Sequence, residues 1–365
     1  MSAPYSARIS KLKEVIREKH LDGVIFAPGP NLRYYTGVSS FLLERPFLFL
    51  VPVEGDPHLV APVLESGPYT RTPLNITMHS WTDSDGPSKA FQEIALQLRL
   101  DGKWGMEGRV PYRFVHRLLQ FAQPQLDNAD SILQGIRAVK DQEEIRLLAR
   151  AASILSKSYL QAFHFMKSGV TELEVSHKLG REILENGADS VDDVLVQSGA
   201  MAADSHHISS SRKLRRKESI VIDATCTCGD YFADVTRTFM IGKNAAFEER
   251  YANLLEAQIQ AVKASRVGVT VGSIDFAARE LLRKHQLDTY FTHRTGHGLG
   301  LEVHEEPYII PDGTEIIQQS MAFTIEPGIY MQGKMGIRIE DDLVTAGEFA
   351  RVLTRSIPKE YAWWN

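Results

Sequence analysis

Four carboxylates stand on strand-like segments with apolar residues behind them. In Ser219-Ile220-Val221-Ile222-Asp223, alternation puts Ile220 and Ile222 on one face and Asp223 on the other. In Tyr231-Phe232-Ala233-Asp234-Val235-Thr236-Arg237-Thr238, Asp234 shares a face with Phe232, Thr236 and Thr238. The two segments can pair about Cys228-Gly229-Asp230, which lets Asp223 and Asp234 face one cavity. Met321-Ala322-Phe323-Thr324-Ile325-Glu326 alternates too and ends at Pro327-Gly328, so Glu326 lies with Thr324 and Ala322. Ile337-Arg338-Ile339-Glu340-Asp341-Asp342 sets Arg338 and Glu340 together, opposite the isoleucines. A lone acid at a strand end is ordinarily solvated. Four acids backed by apolar residues imply burial, and buried carboxylates are costly unless paired or bound to a metal.

Histidines cluster between these segments, in Thr292-His293-Arg294-Thr295-Gly296-His297-Gly298-Leu299-Gly300-Leu301-Glu302-Val303-His304-Glu305. His293 and His297 are four apart, which on a helix would chelate zinc. Gly296, Gly298 and Gly300 argue against a helix, since each costs about 1 kcal/mol in a helix interior. The His-Glu-x-x-His zinc motif also lacks its glutamate here. Glycines around a histidine suggest instead a backbone packed closely against a site. His206 and His207 add a second pair upstream.

Two kinds of region must position these residues. Over 1–134, helical spacing at 8–20, 87–99 and 112–122 alternates with strands at 24–26, 47–53 and 58–62, with a turn at 28–31. This pattern predicts a smaller α/β domain. Over 135–365, a junction leads into a helix capped by Asp141, with Glu143 and Glu144 in its first turn. Helical spacing continues at 145–166 and 171–186 and returns at 273–286. Strands are expected at 193–198, 218–225, 230–241, 320–326 and 336–345. The expectation is an α+β domain with helices on a mostly antiparallel sheet, each half reading as helices followed by strands.

Composition narrows the field. The 365 residues carry 41 Lys+Arg against 46 Asp+Glu, a net charge of −5, which disfavours a nucleic-acid partner. Cys226 and Cys228 are the only cysteines, too few for a disulfide framework or a four-cysteine zinc site, and they are read as packing residues. The run Arg212-Lys213-Leu214-Arg215-Arg216-Lys217 is read as a solvated loop rather than a phosphate patch. Residues 1–23 hold no apolar signal segment, and the most apolar run, at 47–51, is far too short to span a bilayer. No membrane partner and a cytoplasmic location are expected.

Taken together, these segments resemble the pita-bread metallopeptidase family, which includes methionine aminopeptidase, aminopeptidase P, prolidase and creatinase. The prolidase and aminopeptidase P branch is the nearest. The resemblance runs through Ile222-Asp223, the 234–239 and 293–307 segments, Thr324-Ile325-Glu326-Pro327-Gly328-Ile329-Tyr330 and Gly336-Ile337-Arg338-Ile339-Glu340-Asp341-Asp342. It extends to Asn31-Leu32-Arg33-Tyr34-Tyr35-Thr36-Gly37 and Arg137-Ala138-Val139-Lys140-Asp141, and so covers nearly the whole chain.

The resemblance implies a creatinase-like N-terminal domain followed by a pita-bread catalytic domain. It implies five metal ligands, Asp223, Asp234, His297, Glu326 and Glu340, with Asp234 and Glu340 bridging two divalent ions. Oxygen-rich ligation suits Mn2+, and Co2+, Zn2+ or Fe2+ are the alternatives. Glu326 would double as general base, and His206 and His304 would face the substrate carbonyl. Arg338 would orient a ligand or hold a structural ion pair. The implied substrate is a small peptide with proline second, cleaved as a dipeptide by a prolidase or, as the runner-up, within longer peptides by aminopeptidase P. Relatives are often homodimers.

Several positions depart from the family pattern. Asp223-Ala224-Thr225 replaces the usual Asp-x-Gly, Cys226 and Cys228 stand where a small residue or tyrosine is common, Ser205 precedes His206 and Asp192 replaces an aromatic. Tyr308 follows His304-Glu305-Glu306-Pro307, where some prolidases carry an arginine able to meet a dipeptide's carboxylate. A methionine aminopeptidase is disfavoured by the separate N-terminal domain. Creatinase is disfavoured by the full ligand set, as is a non-catalytic binding protein on the same fold.

Overall fold

Asp141 caps the helix that opens the second half of the chain. Its carboxylate accepts from the amides of Glu143 and Glu144, both at 2.9 Å, and the Glu144 side chain accepts from Asp141 N at 2.7 Å. Thr171 and Glu174 repeat the device one helix later. The computed structural model describes residues 4–205, 207–359 and 363–364. They belong to two compact units, Met1–Arg137 and Ala138–Asn365.

The first unit is built on six strands: β1 (Gly23–Phe26), β2 (Leu48–Pro52), β3 (His58–Pro62), β4 (Thr77–Trp81), β5 (Lys103–Met106) and β6 (Gln125–Asn128). Their order is β4-β3-β2-β1-β5-β6, with β1–β2 and β2–β3 antiparallel and the other pairs parallel. Helices α1 (Tyr5–Glu18), α2 (Pro30–Thr36), α3 (Val63–Ser66), α4 (Ser88–Leu98), α5 (Tyr112–Leu118) and α6 (Asp130–Ala138) complete the alternation. Helix α2 corrects the turn expected at 28–31. Pro30 takes a first-turn position, where its missing N–H is no loss, and Gly37 stops the helix at φ 77°.

The second unit repeats one plan twice. Helices α7 (Gln142–Phe163) and α8 (Glu172–Glu185) precede β7 (Ser190–Ser198), β8 (Ser219–Cys228) and β9 (Tyr231–Ile241). Helices α9 (Ala245–Ala264) and α10 (Val271–Lys284) then precede β10 (Gly296–Gly298), β11 (Glu305–Ile309), β12 (Ala322–Ile325), β13 (Gly328–Met331), β14 (Met335–Arg338), β15 (Asp341–Ala346) and β16 (Phe349–Val352). One sheet has the order β17-β9-β8-β7, with β17 at Trp363–Trp364. The other has the order β11-β10-β12-β15-β16, and β13 and β14 form a separate hairpin. All pairs within the unit are antiparallel except β17 with β9.

Each helix pair buries one face of its sheet. Leu155, Ile183, Ile222, Ala224, Val235 and Phe239 share one core, and Leu254, Ile274, Leu282, Phe323, Ile325 and Leu343 share the other. The sequence expectation omits α9, although Phe247, Tyr251, Leu254, Ala257 and Ala261 recur at helical spacing and are buried. Among the described residues no helix is long and apolar enough to cross a membrane.

Candidate metal centre

The β8–β9 hairpin turns on Gly229 and Asp230, both at positive φ (60° and 68°), as a two-residue turn of the hairpin type requires. Its register sets Asp223 opposite Thr236 and Asp234 opposite Thr225, so all four share the face turned away from the helices. On the other face the Tyr159 hydroxyl lies 3.0 Å from Ile222 O and 2.7 Å from Val235 O, which ties α7 to the backbone beside both acids.

His297 sits on β10 between two glycines that nothing larger could replace. A Cβ on Gly296 would fall 1.9 Å from Thr324 O, and one on Gly298 would fall 2.2 Å from Glu306 O. This closeness lets His297 N donate to Thr324 Oγ1 at 3.1 Å and Glu326 N donate to Thr295 O at 2.8 Å. Histidine and glutamate thus leave adjacent strands side by side.

Glu340 is placed differently from the expectation. The strand read at 336–345 is broken: β14 ends at Arg338 and β15 starts at Asp341. Glu340 N donates to Thr236 O at 3.0 Å. Fully buried Arg237 donates to the carbonyls of Glu340 and Thr236 and pairs with Asp341 Oδ1 at 2.7 Å. The break turns two neighbouring acids apart, Glu340 into the site and Asp341 onto Arg237 and Lys359.

Three groups of ligand atoms, each lying within 4.8 Å of one another, result: Asp223 with Asp234 and Glu340, His297 with Glu326 and Glu340, and Asp234 with His297 and His304. Asp234, Glu340 and His297 each enter two groups. A carboxylate has two oxygens to share, whereas His297 has one free nitrogen. Its Nδ1 lies 3.1 Å from Gly298 O and donates to it, leaving Nε2 3.3 Å from Glu326 Oε1 and 3.9 Å from Asp234 Oδ2. Asp234, Glu340 and His297 are at most 5% exposed. Asp223 Oδ1 and Asp234 Oδ1 are buried without a hydrogen-bond partner.

So many acids in one dry space oppose each other's ionisation. Burial, reinforced by Glu340 and Asp223, pushes the Asp234 carboxyl well above its usual range. Burial with Glu326 and Asp223 does the same to Glu340. Burial raises Glu326 to about 7, with Asp223 adding to the rise and Arg338 opposing it. Burial holds His297 well below the usual imidazole range, and His304 below it to a lesser extent, so both keep a lone pair. Divalent cations would reverse this arrangement, since they favour ionised carboxylates and neutral imidazoles. The orphaned oxygens and the oxygen-rich donor set therefore fit metal ions.

Of the other expected residues, His304 and Arg338 line a cavity of about 320 Å³ together with Asp223, Asp234 and Glu326. Asp192 and Ser205, two of the departures noted above, line it too. The His304 ring packs edge-on against His297, with centroids 4.1 Å apart. Arg338 pairs with Asp223 Oδ2 at 2.7 Å and reaches Glu340 only through Thr236: its Nε donates to Thr236 Oγ1 at 2.9 Å, which donates to Glu340 Oε2 at 2.7 Å. Tyr308 is not among the lining residues; its ring lies under the guanidinium of Arg294, which is. His206 lies outside the described residues. On either side of it, Gln197 Nε2 donates to Ser205 O at 3.0 Å and His207 O at 3.1 Å. Cys226 and Cys228 belong to the apolar core behind the hairpin.

Three side chains that the sequence argument left without a role complete the site. Thr236 is the relay just described. Tyr330 accepts from Arg338 Nη1 at 2.9 Å and lies 3.0 Å from His293 Nε2. His293 Nδ1 donates to Arg294 O at 2.7 Å, so Nε2 accepts the Tyr330 proton, and burial with Arg338 holds this imidazole at about 4. The alternation that singled out Asp234 also places Thr236 on its face. Nothing local in the sequence marks Tyr330.

Known proteins resemble the chain over nearly its whole length. The chain is similar to dipeptidase PepE of Mycobacterium ulcerans, with 33% identity, TM-score 0.92, and 98% of this chain and 97% of that one covered. It is similar to the prolidase of Thermococcus sibiricus, with 32% identity, TM-score 0.92 and all of both chains covered. The Xaa-Pro dipeptidase of Pyrococcus horikoshii is 29% identical over 352 residues, 96% of this chain and 97% of that protein. Such structures share the pita-bread fold. Residues 8–139 match the creatinase/prolidase N-terminal domain and residues 146–346 match metallopeptidase family M24, and the chain belongs to that family.

Proposed function

We propose that the chain is an Xaa-Pro dipeptidase that works with two divalent metal ions, Mn2+ in the cell. The observation that carries the two-ion reading is the double use of Asp234 and Glu340, two buried carboxylates that each enter two ligand groups. Asp223 would complete one ion's shell, and His297 with Glu326 the other's. When bound, the ions supply a hydroxide nucleophile and polarise the scissile carbonyl.

The protein's own groups do the rest. Glu326 lines the cavity and would take the proton of the attacking water and return it to the leaving proline nitrogen. That nitrogen is tertiary in the substrate and has no proton of its own. Neutral His304 can donate to the carbonyl oxygen as charge grows there, and His206 is assigned the same task. Arg338 fixes Asp223 directly and Glu340 through Thr236, so one guanidinium orients ligands of both ions. A small cavity with closely set acids suits a short peptide. The proline preference is supported by the relatives named above. A homodimer in the cytoplasm, with no nucleic-acid or membrane partner, completes the proposal.

The test compares hydrolysis of Leu-Pro with Leu-Pro-Pro-Gly by Mn2+-loaded protein, with and without EDTA. The proposal expects Leu-Pro to be preferred and all activity to vanish with EDTA. Preference for the tetrapeptide would make the enzyme an aminopeptidase P.

A further inference from the structure

Two arginines line the catalytic cavity, and they are used differently. Arg338 is consumed by Asp223, Thr236 and Tyr330. Arg294 is half-buried, and among the described residues no carboxylate lies within ion-pair distance of it. Its guanidinium carbon instead lies 4.6 Å above the Tyr308 ring. An aromatic face holds an arginine's plane without using its N–H donors, so the fork stays available for an anion.

The anion must belong to the substrate. In a dipeptide the carboxylate follows the scissile bond by a single residue, so it lies within about 4 Å of the attacked carbon. It therefore enters the same cavity of about 320 Å³, near the small end for ligand pockets. Asp192 and Asp193 line this cavity as well, so it presents both signs needed by a zwitterion. A longer peptide has a neutral amide where the carboxylate would be and leaves the guanidinium without a partner.

We infer that Arg294, propped by the Tyr308 ring, binds the free carboxylate of a dipeptide and makes this enzyme a dipeptidase. The inference rests on the peptidase reading above and deepens it. It assigns carboxylate recognition to a residue three positions before His297. Tyr308 acts as a positioning residue, through its ring and not its hydroxyl.

The experiment measures kcat and KM on Mn2+-loaded protein for Leu-Pro, Leu-Pro amide, Glu-Pro amide, Leu-Ala and Leu-Ala amide. Wild type should prefer each acid over its amide by about ten- to hundredfold, as expected of charge-assisted hydrogen bonds. In Arg294→Gln that ratio should collapse towards one, mainly through KM, and Arg294→Lys should restore part of it. Tyr308→Leu should lower the ratio severalfold, whereas Tyr308→Phe should keep it. A wild type indifferent to the amide overturns the inference, as does an Arg294→Gln enzyme that still prefers acids. Equal loss on acids and amides would also overturn it, by making Arg294 structural. Loss confined to Glu-Pro amide would assign the arginine to an acidic first side chain and overturn it likewise. If Leu-Ala outruns Leu-Pro while the acid preference still collapses in Arg294→Gln, the proline reading fails and this one stands.

Discussion

At the scale of single residues the site is a set of acids that cannot all be ionised without a counter-charge. This fixes the sign of a pH effect. Without metal, folded Glu326 holds its proton up to about 7, whereas the unfolded chain releases it near the ordinary glutamate value of about 4.3. The folded state then binds more protons across that window, and stability falls as pH rises through it. With Mn2+ bound, ions compete with protons for the same oxygens, and stability should rise over the same window. Thermal midpoints of EDTA-treated and Mn2+-loaded protein between pH 4.5 and 7 should therefore slope in opposite directions; parallel slopes would contradict the account. Arg338→Met should weaken Mn2+ binding by about ten- to hundredfold, because Asp223 and Thr236 lose the group that orients them. Calorimetric titration of Mn2+ into metal-free protein measures this directly, and unchanged affinity would reduce Arg338 to a packing role. Alternation along strands made Asp223, Asp234 and Glu326 legible in the sequence. It did not reveal that Arg338 grips Asp223, because that pair spans 115 positions.

At the scale of elements, backbone closeness sets the ligands. Gly296→Ala would put a methyl against Thr324 O and separate β10 from β12, moving His297 away from Glu326. Loss of metal binding together with a lowered thermal midpoint is expected; normal metal content in this variant would contradict the packing argument. Asp141→Ala removes the carboxylate that accepts from the Glu143 and Glu144 amides and should cost about 1 kcal/mol, read by urea unfolding, without changing the site. Elements whose local chemistry is strong were legible, including the Asp141 cap and the hairpin at Gly229-Asp230. Others were not. Helix α2 hid behind a Pro-Gly-Pro run that looks like a turn, and it forms because Pro30 falls in its first turn. The break after Arg338 hid inside an alternating pattern, and it exists because Arg237, from β9, captures Asp341 and the Glu340 carbonyl. Tertiary contacts of this kind leave no trace in the local periodicity.

At the scale of the whole molecule, the helices-then-strands plan occurs twice in Ala138–Asn365, and each half supplies part of the proposed ligand set. Asp223 and Asp234 come from the first half, and His297, Glu326 and Glu340 from the second. That division was visible in the sequence as two runs of helical spacing, each followed by strands. The proposed homodimer is checked by light scattering on metal-loaded protein, where twice the 40.9 kDa chain mass is expected and a clean monomer mass would remove it. The central claim is a two-ion centre shared through Asp234 and Glu340. The most direct measurement is metal content per chain after Mn2+ loading and desalting, for wild type, Asp234→Ala and Glu340→Ala, with folding checked by circular dichroism. The account predicts about two ions in wild type and loss from both positions in each variant. Folded variants that keep their full metal content would contradict it.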